Sequence, residues 1–565
     1  MRTILLALFS TALALAQADL ILRNGKVVTL ETTRPTAQAI AVRGDTILAV
    51  GSDGDMKPLT GPKTRIVDLA GKLAIPGFIE GHGHFMGLGE SKMNLNLRNA
   101  RNWDEIVAMV ADAAKKAPPG AWILGRGWHQ SKWDKTPGPN VQGFPVHADL
   151  SKVSPNNPVW LTHASGHASM VNAQALKQAE ITGKTADPAG GQILKDPQGQ
   201  PTGLLQERAQ QLLSPAYRAY MSKKSPAELE AEARKQIELA TDECLANGIT
   251  SFQDAGSSLD AIGLFKREAE AGELRLRLWV MIRDSNNALA KNLPKYRMVD
   301  AGNHHLTVRA IKRQMDGALG SRGAWLLAPY SDLPSSTGLN TEPVADIRRT
   351  AELAVANDFQ LCIHAIGDRA NREVLDLYEA VFREHPDKTN LRWRDEHSQH
   401  LDPADIPRFA KLGVIASMQA IHCTSDAPYV LPRLGPKRAK DGAYVWRSLI
   451  DSGAVVTNGT DAPVEEVSPL ASFYAAVSRK LKDGTRFYPE QRMTRGEALR
   501  SYTINNAYAA FEEKSKGSLA AGKLADITVL SKDIMTIPED EIPTTQILYT
   551  IVGGKIVYSA PQVSK

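Results

Sequence analysis

Two histidines, two residues apart, follow a hydrophobic segment near the start of the sequence. The segment IPGFIEGHGHFMG, residues 75–87, carries His82 and His84 with glycines beside them. In an extended backbone, residues i and i+2 point to the same side, so both imidazoles can reach one metal ion. Neutral imidazole is a good ligand for Zn²⁺ and related divalent ions. The pair predicts a metal site at a strand end, where glycine lets a metal and a substrate approach the backbone.

Four further polar residues follow other apolar segments: Lys312 in IKRQMDG, His364 in QLCIHAIGD, His397 in LRWRDEHSQH and Asp461 in VVTNGTDAPV. Taken singly, each has a structural alternative, because a lone histidine is more often hydrogen-bonded and an aspartate before Ala-Pro is typical of a turn. A lysine ammonium cannot ligate a metal, but a lysine that has reacted with CO₂ becomes a carbamate that can bridge two ions. The ordered set is far more specific than any member and predicts metal-assisted hydrolysis.

Eight candidate strands are predicted to position these residues. Helical patterns separate most of them, and such alternation predicts a (β/α)8 barrel, an α/β fold whose active site lies at the carboxyl ends of the strands. The predicted strands are Leu73–Glu80, Ile249–Asp254, Leu276–Ile282, Thr307–Met315, Gln360–Ala365, Leu391–Glu396, Val414–Gln419 and Ala454–Thr457.

The two ends of the sequence contain short strand-and-turn segments of a different style. DLILRNGKVVTL turns at Asn24-Gly25, and TQILYTIVGGKIVYSA turns at Gly553-Gly554. We predict one small β-sandwich domain built from residues 19–73 and 513–565, with the barrel, residues 74–512, inserted between them. The gap between the first and second barrel strands is too long for a single crossover, so a large insertion at about residues 98–240 is expected over one face of the barrel.

Composition argues against a nucleic-acid-binding protein and against a disulfide-rich scaffold. The 565 residues carry a formal net charge of +5 without a dense basic run, so a nucleic-acid partner is not expected. Cys244, Cys362 and Cys423 are too few for a disulfide framework, and buried inert thiols are the expectation.

The N-terminal residues 1–18 resemble a signal peptide. Met1-Arg2 supplies a positive start, Ile4–Ala16 is apolar, and Ala16-Gln17-Ala18 fits a cleavage site before Asp19. The expectation is an exported protein, periplasmic or secreted, with no membrane attachment after cleavage. An uncleaved anchor is the alternative.

The motifs taken together resemble the amidohydrolase superfamily, and more closely its YtcJ-like branch (amidohydrolase family 3), which includes N-substituted formamide deformylases. The motifs that carry the resemblance span nearly the whole chain and include PGFIEGHGH, GRGWHQSKW, GHASMVNAQAL, MDGALGSRGAW, IHAIGDRAN, EHSQHL, NGTDAPVEEVSP and GSLAAGKLADITVL. The resemblance implies a barrel with a flanking β-sandwich and one or two divalent metal ions, usually zinc.

The resemblance also implies a role for each residue of the ordered set. His82 and His84 match the metal ligands of the first strand, and Lys312 matches the bridging lysine, with an N6-carboxylated side chain. His364 and His397 match the ligands of the second metal, and Asp461 matches the aspartate of the eighth strand. Three departures, Glu80-Gly81, Thr460 and Ala420, remove no ligand but leave the pocket shape and the substrate open.

Six more residues in loops or near strand ends are candidates for substrate binding, with structural packing as the alternative for each one. They are Trp128, His129, His167, Glu207, Arg322 and His422.

The predicted function is hydrolysis of a non-peptide carbon–nitrogen bond, amide or formamide-like, in a small-molecule substrate. A metal-activated hydroxide attacks, and Asp461 serves as general base and then as general acid toward the leaving nitrogen. Two alternatives stay open: an esterase, lactonase or cyclic-amide hydrolase on the same site, and an exported binding protein without catalysis. Oligomeric state is not readable from the sequence, so a homo-oligomer also stays open.

Overall fold

The computed structural model describes residues 17–561. Residues 1–16, which contain most of the predicted signal peptide, lie outside this range. Within it, every helix is too short or too polar to cross a lipid bilayer.

Eight parallel strands form the central barrel, in agreement with the predicted fold class. They are Phe78–Gly83, Ile249–Ser257, Arg277–Ile282, Leu306–Gln314, Gln360–Ala365, Arg394–His397, Ile415–Met418 and Val456–Asn458, and each is hydrogen-bonded to the next in this order. The last strand returns to the first through the loop that follows it. There the backbone N–H of Asp461 donates to the carbonyl of His82 at 2.8 Å, and the N–H of His84 donates to the carbonyl of Ala462 at 2.7 Å.

Helices surround the barrel and bury their apolar faces against it. The longer ones are Pro226–Ala246, Leu259–Ala271, Asn286–Tyr296, Val344–Ala356, Asp368–Glu384, Ala420–Gly442 and Pro469–Ser478, and the shorter ones are Phe85–Ser91, Ile406–Leu412, Trp446–Asp451, Arg495–Ser501 and Ile504–Ala509. The helix before the second strand shows why these segments are helical: Pro226 occupies its first turn, and Ser225 and Glu228 form a reciprocal capping box.

The first predicted strand, Leu73–Glu80, is wrong as a single element. Leu73–Pro76 belongs to a terminal sheet, where it pairs antiparallel with Ile527–Leu530, and Phe78–Gly83 is the first barrel strand. The chain changes sheets at Gly77, where a Cβ atom would lie 2.2 Å from Oγ1 of Thr250. Only glycine fits this close approach. The barrel strand therefore starts later than predicted and extends through His82.

Two sheets at the ends of the described chain pack against each other as a terminal domain. A four-stranded sheet contains Leu20–Arg23, Ala39–Arg43, Thr46–Gly51 and Arg65–Asp68. A six-stranded sheet contains Lys26–Val28, Thr36–Ala37, Leu73–Pro76, Ile527–Leu530, Ile547–Val552 and Lys555–Ser559. Three strands of the larger sheet come from each end of the chain, and both sheets contribute to one apolar core.

A third layer lies between the first and second barrel strands in sequence. Its six-stranded sheet contains Leu95–Asn96, Ile123–Trp128, Val159–His163, Ala168–Val171, Gly191–Lys195 and Pro201–Glu207, and its helices include Trp103–Lys116, Ala148–Val153, Ala173–Gln178 and Ser214–Met221. Arg98 donates to the carbonyl of Pro463 at 2.9 Å, and Gln206 donates to the carbonyl of Ser321 at 2.7 Å. These contacts place the inserted layer over the loops at the carboxyl ends of the barrel strands.

Candidate metal centre and substrate cavity

Three of the predicted metal ligands meet inside the carboxyl end of the barrel. His82, His397 and Asp461 are all buried, and one ligand atom from each lies within 4.8 Å of the other two. They come from the first strand, the sixth strand and the loop after the eighth, so barrel closure brings them together. One carboxylate and two imidazoles at this separation are a suitable ligand set for a divalent ion such as zinc.

Two more predicted residues join this group. Nε2 of His84 lies 3.2 Å from Oδ1 of Asp461, and Nε2 of His82 lies 3.7 Å from the same oxygen. Nζ of Lys312, at the end of the fourth strand, lies 3.3 Å from Nε2 of His82. Side chains from strand one, from strand four and from the loop after strand eight therefore lie next to one another.

His364, the sixth member of the predicted set, lies on the far side of His397. The centroids of these two rings are 4.4 Å apart. Nε2 of His364 is buried without a hydrogen-bond partner, and its nearest carboxylate oxygen, on Asp316, is 3.5 Å away. A buried nitrogen left unpaired beside two other imidazoles fits a role as a metal ligand, because buried polar atoms otherwise have partners.

Acceptors outside the ligand set orient two of the imidazoles. Nδ1 of His82 lies 2.5 Å from Oε2 of Glu396, and Nδ1 of His397 lies 2.7 Å from Oε1 of Gln419. Arg394 holds Glu396 in turn, with its Nε 2.6 Å from Oε1. When Nδ1 donates to an acceptor, Nε2 keeps its lone pair for a metal ion. The structure therefore supplies the supporting hydrogen bonds that a metal-binding histidine requires.

Burial controls the charges of these groups. It lowers the pKa of His82 to about 4, so this imidazole is neutral near pH 7. It also lowers the pKa of Lys312 to about 8, so part of the population carries a neutral amine. Burial opposes ionisation of Asp461, but a hydrogen bond from His84 and the neighbouring imidazoles hold the pKa of this carboxyl well below its usual range. The site thus presents a neutral imidazole at His82 and an ionised carboxylate at Asp461.

The backbone is strained at two of the ligands. His397 has φ of 82° and Asp461 has φ of 56°, a left-handed region that non-glycine residues seldom adopt. The hydrogen bond from Asp461 to His82 fixes the second of these conformations. Strain of this kind persists where the surrounding structure holds a side chain for a functional purpose.

A cavity of about 420 Å³ opens beside the ligand set, between the barrel and the inserted layer. His84, Lys312, His364, His397 and Asp461 line it. A smaller cavity of about 40 Å³ adjoins it and shares His364 and Asp461 in its lining. The ligand set therefore lies where a large and a small compartment meet.

Four of the six predicted substrate-binding residues lie at these cavities. His167 lines both compartments, and Nδ1 of its ring is 2.7 Å from Oε2 of Glu207, which lines the large one. His129 and His422 line the small compartment together with Tyr429, on which the His129 ring is stacked. These side chains are therefore placed to contact a bound molecule.

The other two candidates lie elsewhere. Trp128 is fully buried in the core of the inserted layer, and its indole N–H donates to the carbonyl of Leu161 at 2.9 Å. Arg322 pairs with Asp332 at 3.1 Å. Neither residue is part of the lining of the large or the small compartment described above.

Several residues of the site were not among the sequence-based candidates. Glu396 and Gln419 orient ligands, and Asp316 accepts backbone N–H groups of Trp325, Ile366 and Gly367 and so fixes the loop after His364. The sequence did contain one signal for Glu396, since this residue stands directly before the candidate ligand His397 in EHSQHL. Three arginines that line the large compartment were also missed: Arg126, Arg208 and Arg283.

Known proteins resemble this chain over nearly its full length. A family model described as "Amidohydrolase family" matches residues 65–558. Protein LONG AFTER FAR-RED 3 of Arabidopsis thaliana is 34% identical over 96% of this chain and 92% of its own length. The putative amidohydrolase YtcJ of Bacillus subtilis is 30% identical over 95% of this chain and 98% of its own. The N-substituted formamide deformylase of Arthrobacter pascens is 28% identical, covering 96% and 98%.

A solved structure shares the same fold. It is an uncharacterized metal-dependent hydrolase from Pyrococcus horikoshii OT3, and it superposes with a TM-score of 0.72 at 24% identity, over 92% of this chain and 99% of that one.

Proposed function

This chain belongs to the amidohydrolase family, and from that premise we propose that it is a metal-dependent hydrolase acting on a non-peptide carbon–nitrogen bond in a small amide or formamide. The observation that carries the proposal is the convergence of six side chains at one end of the barrel, beside a cavity of about 420 Å³. Those six are His82, His84, Lys312, His364, His397 and Asp461.

The residues present fit one or two divalent ions, for which we propose zinc. His82, His84 and Asp461 would hold the first ion, and His364 and His397 the second, with Lys312 between them. The buried Nε2 of His364 supports this assignment, because it has no hydrogen-bond partner. A bound ion lowers the pKa of a water molecule and polarises a substrate carbonyl.

Lys312 would bridge two ions only as a carbamate. Its amine is buried, and its environment lowers the pKa to about 8. Reaction with CO₂ requires the neutral amine, which burial favours. We therefore include N6-carboxylation of Lys312 in the proposal.

Asp461 is the proton carrier in this proposal. Its carboxylate is ionised, buried and part of the cavity lining, so it can accept a proton from the attacking water. It then delivers that proton to the leaving nitrogen, since an amide anion is too poor a leaving group. His167 and Glu207 line the same cavity and would position the substrate.

Export is a separate proposal that rests on the sequence alone. The apolar run Ile4–Ala16 and the small residues that follow it support a cleaved signal and a periplasmic or secreted enzyme.

Metal content and a substrate panel test the proposal. Protein purified without chelator should carry about two equivalents of metal, and Lys312→Ala should carry fewer. The panel should contain N-formyl amines, N-acetyl amines, esters and lactones. Hydrolysis of amides supports the proposal, whereas activity restricted to esters or lactones assigns the same site to another bond. Absence of bound metal after zinc is supplied would overturn it.

A further inference from the structure

Three arginines line the large compartment without an acidic partner. They are Arg126, Arg208 and Arg283. Among residues 17–561, no carboxylate oxygen lies within 4.0 Å of any of the three guanidinium groups. Elsewhere in the protein most arginines pair with acids, as Arg394 does with Glu396. An arginine is always charged, so these three bring three positive charges to the lining of the compartment.

Arg126 lies beneath the loop that carries His167. Its Nη2 donates to the carbonyl of Ala164 at 3.3 Å, and its Nε is buried without a partner. A Cβ atom at Gly166 would lie 3.3 Å from Nη2, so the glycine lets the loop run close over the guanidinium. Glu90 and Asp461 act on this group only from beyond 4.0 Å. Arg126 is therefore fixed in place while part of its hydrogen-bonding capacity stays unused.

Arg283 reaches the compartment from the end of the third barrel strand. Its Nη2 donates to Oε1 of Gln314 at 2.7 Å. Gly256, with φ of 125°, makes room for it, because a Cβ atom there would lie 3.1 Å from Cβ and Cδ of Arg283 and 3.4 Å from Cβ of Lys312. Arg283 is thus held beside the lysine of the candidate metal centre.

Arg208 enters from the inserted layer, directly after Glu207. Glu207 has φ of 49° and ψ of −124°, and this sharp turn ends its strand. The N–H of Arg208 donates to the carbonyl of Gly190 at 3.2 Å. The three arginines therefore come from three separate elements and line one cavity.

The acids that line the cavity have partners of their own. Glu207 is paired with His167 at 2.7 Å, and Oε2 of Glu342 lies 3.9 Å from Nε of Arg313, a pair outside the three arginines. Asp461 is surrounded by His82 and His84. None of these acids therefore occupies the hydrogen-bond donors of the three guanidinium groups.

We propose that the large compartment binds an anionic group of the substrate, specifically a carboxylate, through Arg126, Arg208 and Arg283. This inference rests on the proposed function for the position of the scissile bond, which lies at the candidate metal centre. In this proposal the substrate is a small N-acyl amine: the amine portion carries the carboxylate and lies in the large compartment, and the acyl group faces the small compartment of about 40 Å³. Arg–carboxylate hydrogen bonds are charge-assisted, so a neutral analogue loses them.

A matched pair of ligands tests the anionic site without relying on turnover. The amine 4-(aminomethyl)benzoate carries the carboxylate, and 4-methylbenzylamine carries a methyl group in its place; the ammonium group is common to both. Both are amine products of the proposed reaction and neither contains an amide bond, so neither is hydrolysed. Titration calorimetry on the metal-loaded enzyme should show 4-(aminomethyl)benzoate binding about 10- to 100-fold tighter than 4-methylbenzylamine.

Single substitutions of the arginines show which of them bind the carboxylate. Arg126→Gln and Arg208→Gln should each weaken binding of 4-(aminomethyl)benzoate about tenfold and leave binding of 4-methylbenzylamine unchanged. Arg275→Gln is the matched control, since Arg275 lies before the same strand that Arg283 follows and pairs with Asp242 at 2.5 Å on the surface. This control should bind both ligands as the unmodified protein does.

Kinetics separate this inference from the proposed function. With the formamides of the same two amines, the arginine variants should raise KM for the charged substrate and leave kcat nearly unchanged. Equal affinity for the amine with the carboxylate and the amine without it would overturn the anionic site, whatever bond the enzyme cleaves. Selective binding of the carboxylate without hydrolysis of any amide would overturn the proposed function and leave the anionic site standing.

Discussion

Glu396 accepts a hydrogen bond from Nδ1 of His82 in the closed interior of the barrel, across 314 positions of sequence. Both side chains are fully buried, and Arg394 fixes the carboxylate from the other side. The orientation of a candidate metal-binding imidazole therefore depends on an acid that does not itself belong to the proposed ligand set.

Glu396→Gln should weaken metal binding about 10- to 100-fold, because the amide orients His82 less strongly than the carboxylate does. Chelator competition measures the change. Gln419→Leu acts on His397 without removing a charge and should shift metal affinity in the same direction. Glu238→Gln, at a surface carboxylate that is 54% exposed, is the control. Unchanged affinity in both site variants would show that the two acceptors have only structural roles.

Asp461→Asn should lower kcat by about 10²- to 10⁴-fold while the protein keeps most of its metal. Asparagine retains an oxygen ligand but cannot accept the proton that the proposed mechanism assigns to Asp461. Parallel measurement of kcat and metal content separates the two roles. Asp260→Asn, in the exposed first turn of the helix Leu259–Ala271, should behave as the unmodified protein. Full turnover in Asp461→Asn would remove the residue from the mechanism.

Arg277 and Asp526 tie the barrel to the terminal domain. Their atoms lie 2.8 and 3.0 Å apart, and the side chains are 2% and 5% exposed. Asp526→Asn should lower the free energy of unfolding by about 3 kcal/mol, because it leaves a buried guanidinium without a counter-charge. Denaturant titration measures this loss. The double variant Arg277→Met, Asp526→Leu should be more stable than Asp526→Asn, and a less stable double variant would contradict the argument.

The same pair predicts a pH dependence of stability. Burial raises the pKa of Asp526, but the Arg277 guanidinium outweighs this and holds it below its ordinary value near 3.8. A carboxyl group whose pKa is lowered by folding contributes its full stabilisation at a pH above its pKa in the unfolded state. This stabilisation is lost as the pH falls through its pKa in the folded state. The stability difference between the unmodified protein and Asp526→Asn should therefore be constant from about pH 5 upward and shrink below about pH 4.

Trp128→Phe should reduce stability and leave KM unchanged. The substitution removes the hydrogen bond to Leu161 in the core of the inserted layer and should lower the free energy of unfolding by about 1–3 kcal/mol. By contrast, His129→Gln should change KM, since His129 lines the small compartment. A raised KM in Trp128→Phe at unchanged stability would return Trp128 to the substrate-binding residues.

The barrel was predictable because most of its strands are apolar segments that helical patterns separate. The first strand was drawn incorrectly, since LAIPGFIE is apolar on both sides of Gly77 and the change of sheets depends on Thr250 and Asp526, which are far away in sequence. Local pattern alone does not contain such a contact.

The candidate site was predictable only in part, for a related reason. His82, His84 and Asp461 stand in specific motifs, whereas Glu396 and Gln419 act through contacts that exist only after folding. Arg126 and Arg283 were not among the sequence-based candidates, because their lack of acidic partners is a property of the assembled cavity. Trp128 shows the opposite difference. Its place in a motif made it a candidate for substrate binding, but its side chain packs in the core of the inserted layer.

The six-stranded terminal sheet has a consequence for how the chain reaches this fold. Its central pairing joins Leu73–Pro76 to Ile527–Leu530, so more than 400 residues are synthesised between the two partners. During that interval Leu73–Pro76 has an unpaired edge, and such edges promote association between chains. Closing so long a loop also costs entropy before any contact forms. Completion of this sheet is therefore a late folding step, and a nascent chain that stops before residue 527 keeps an open, aggregation-prone edge.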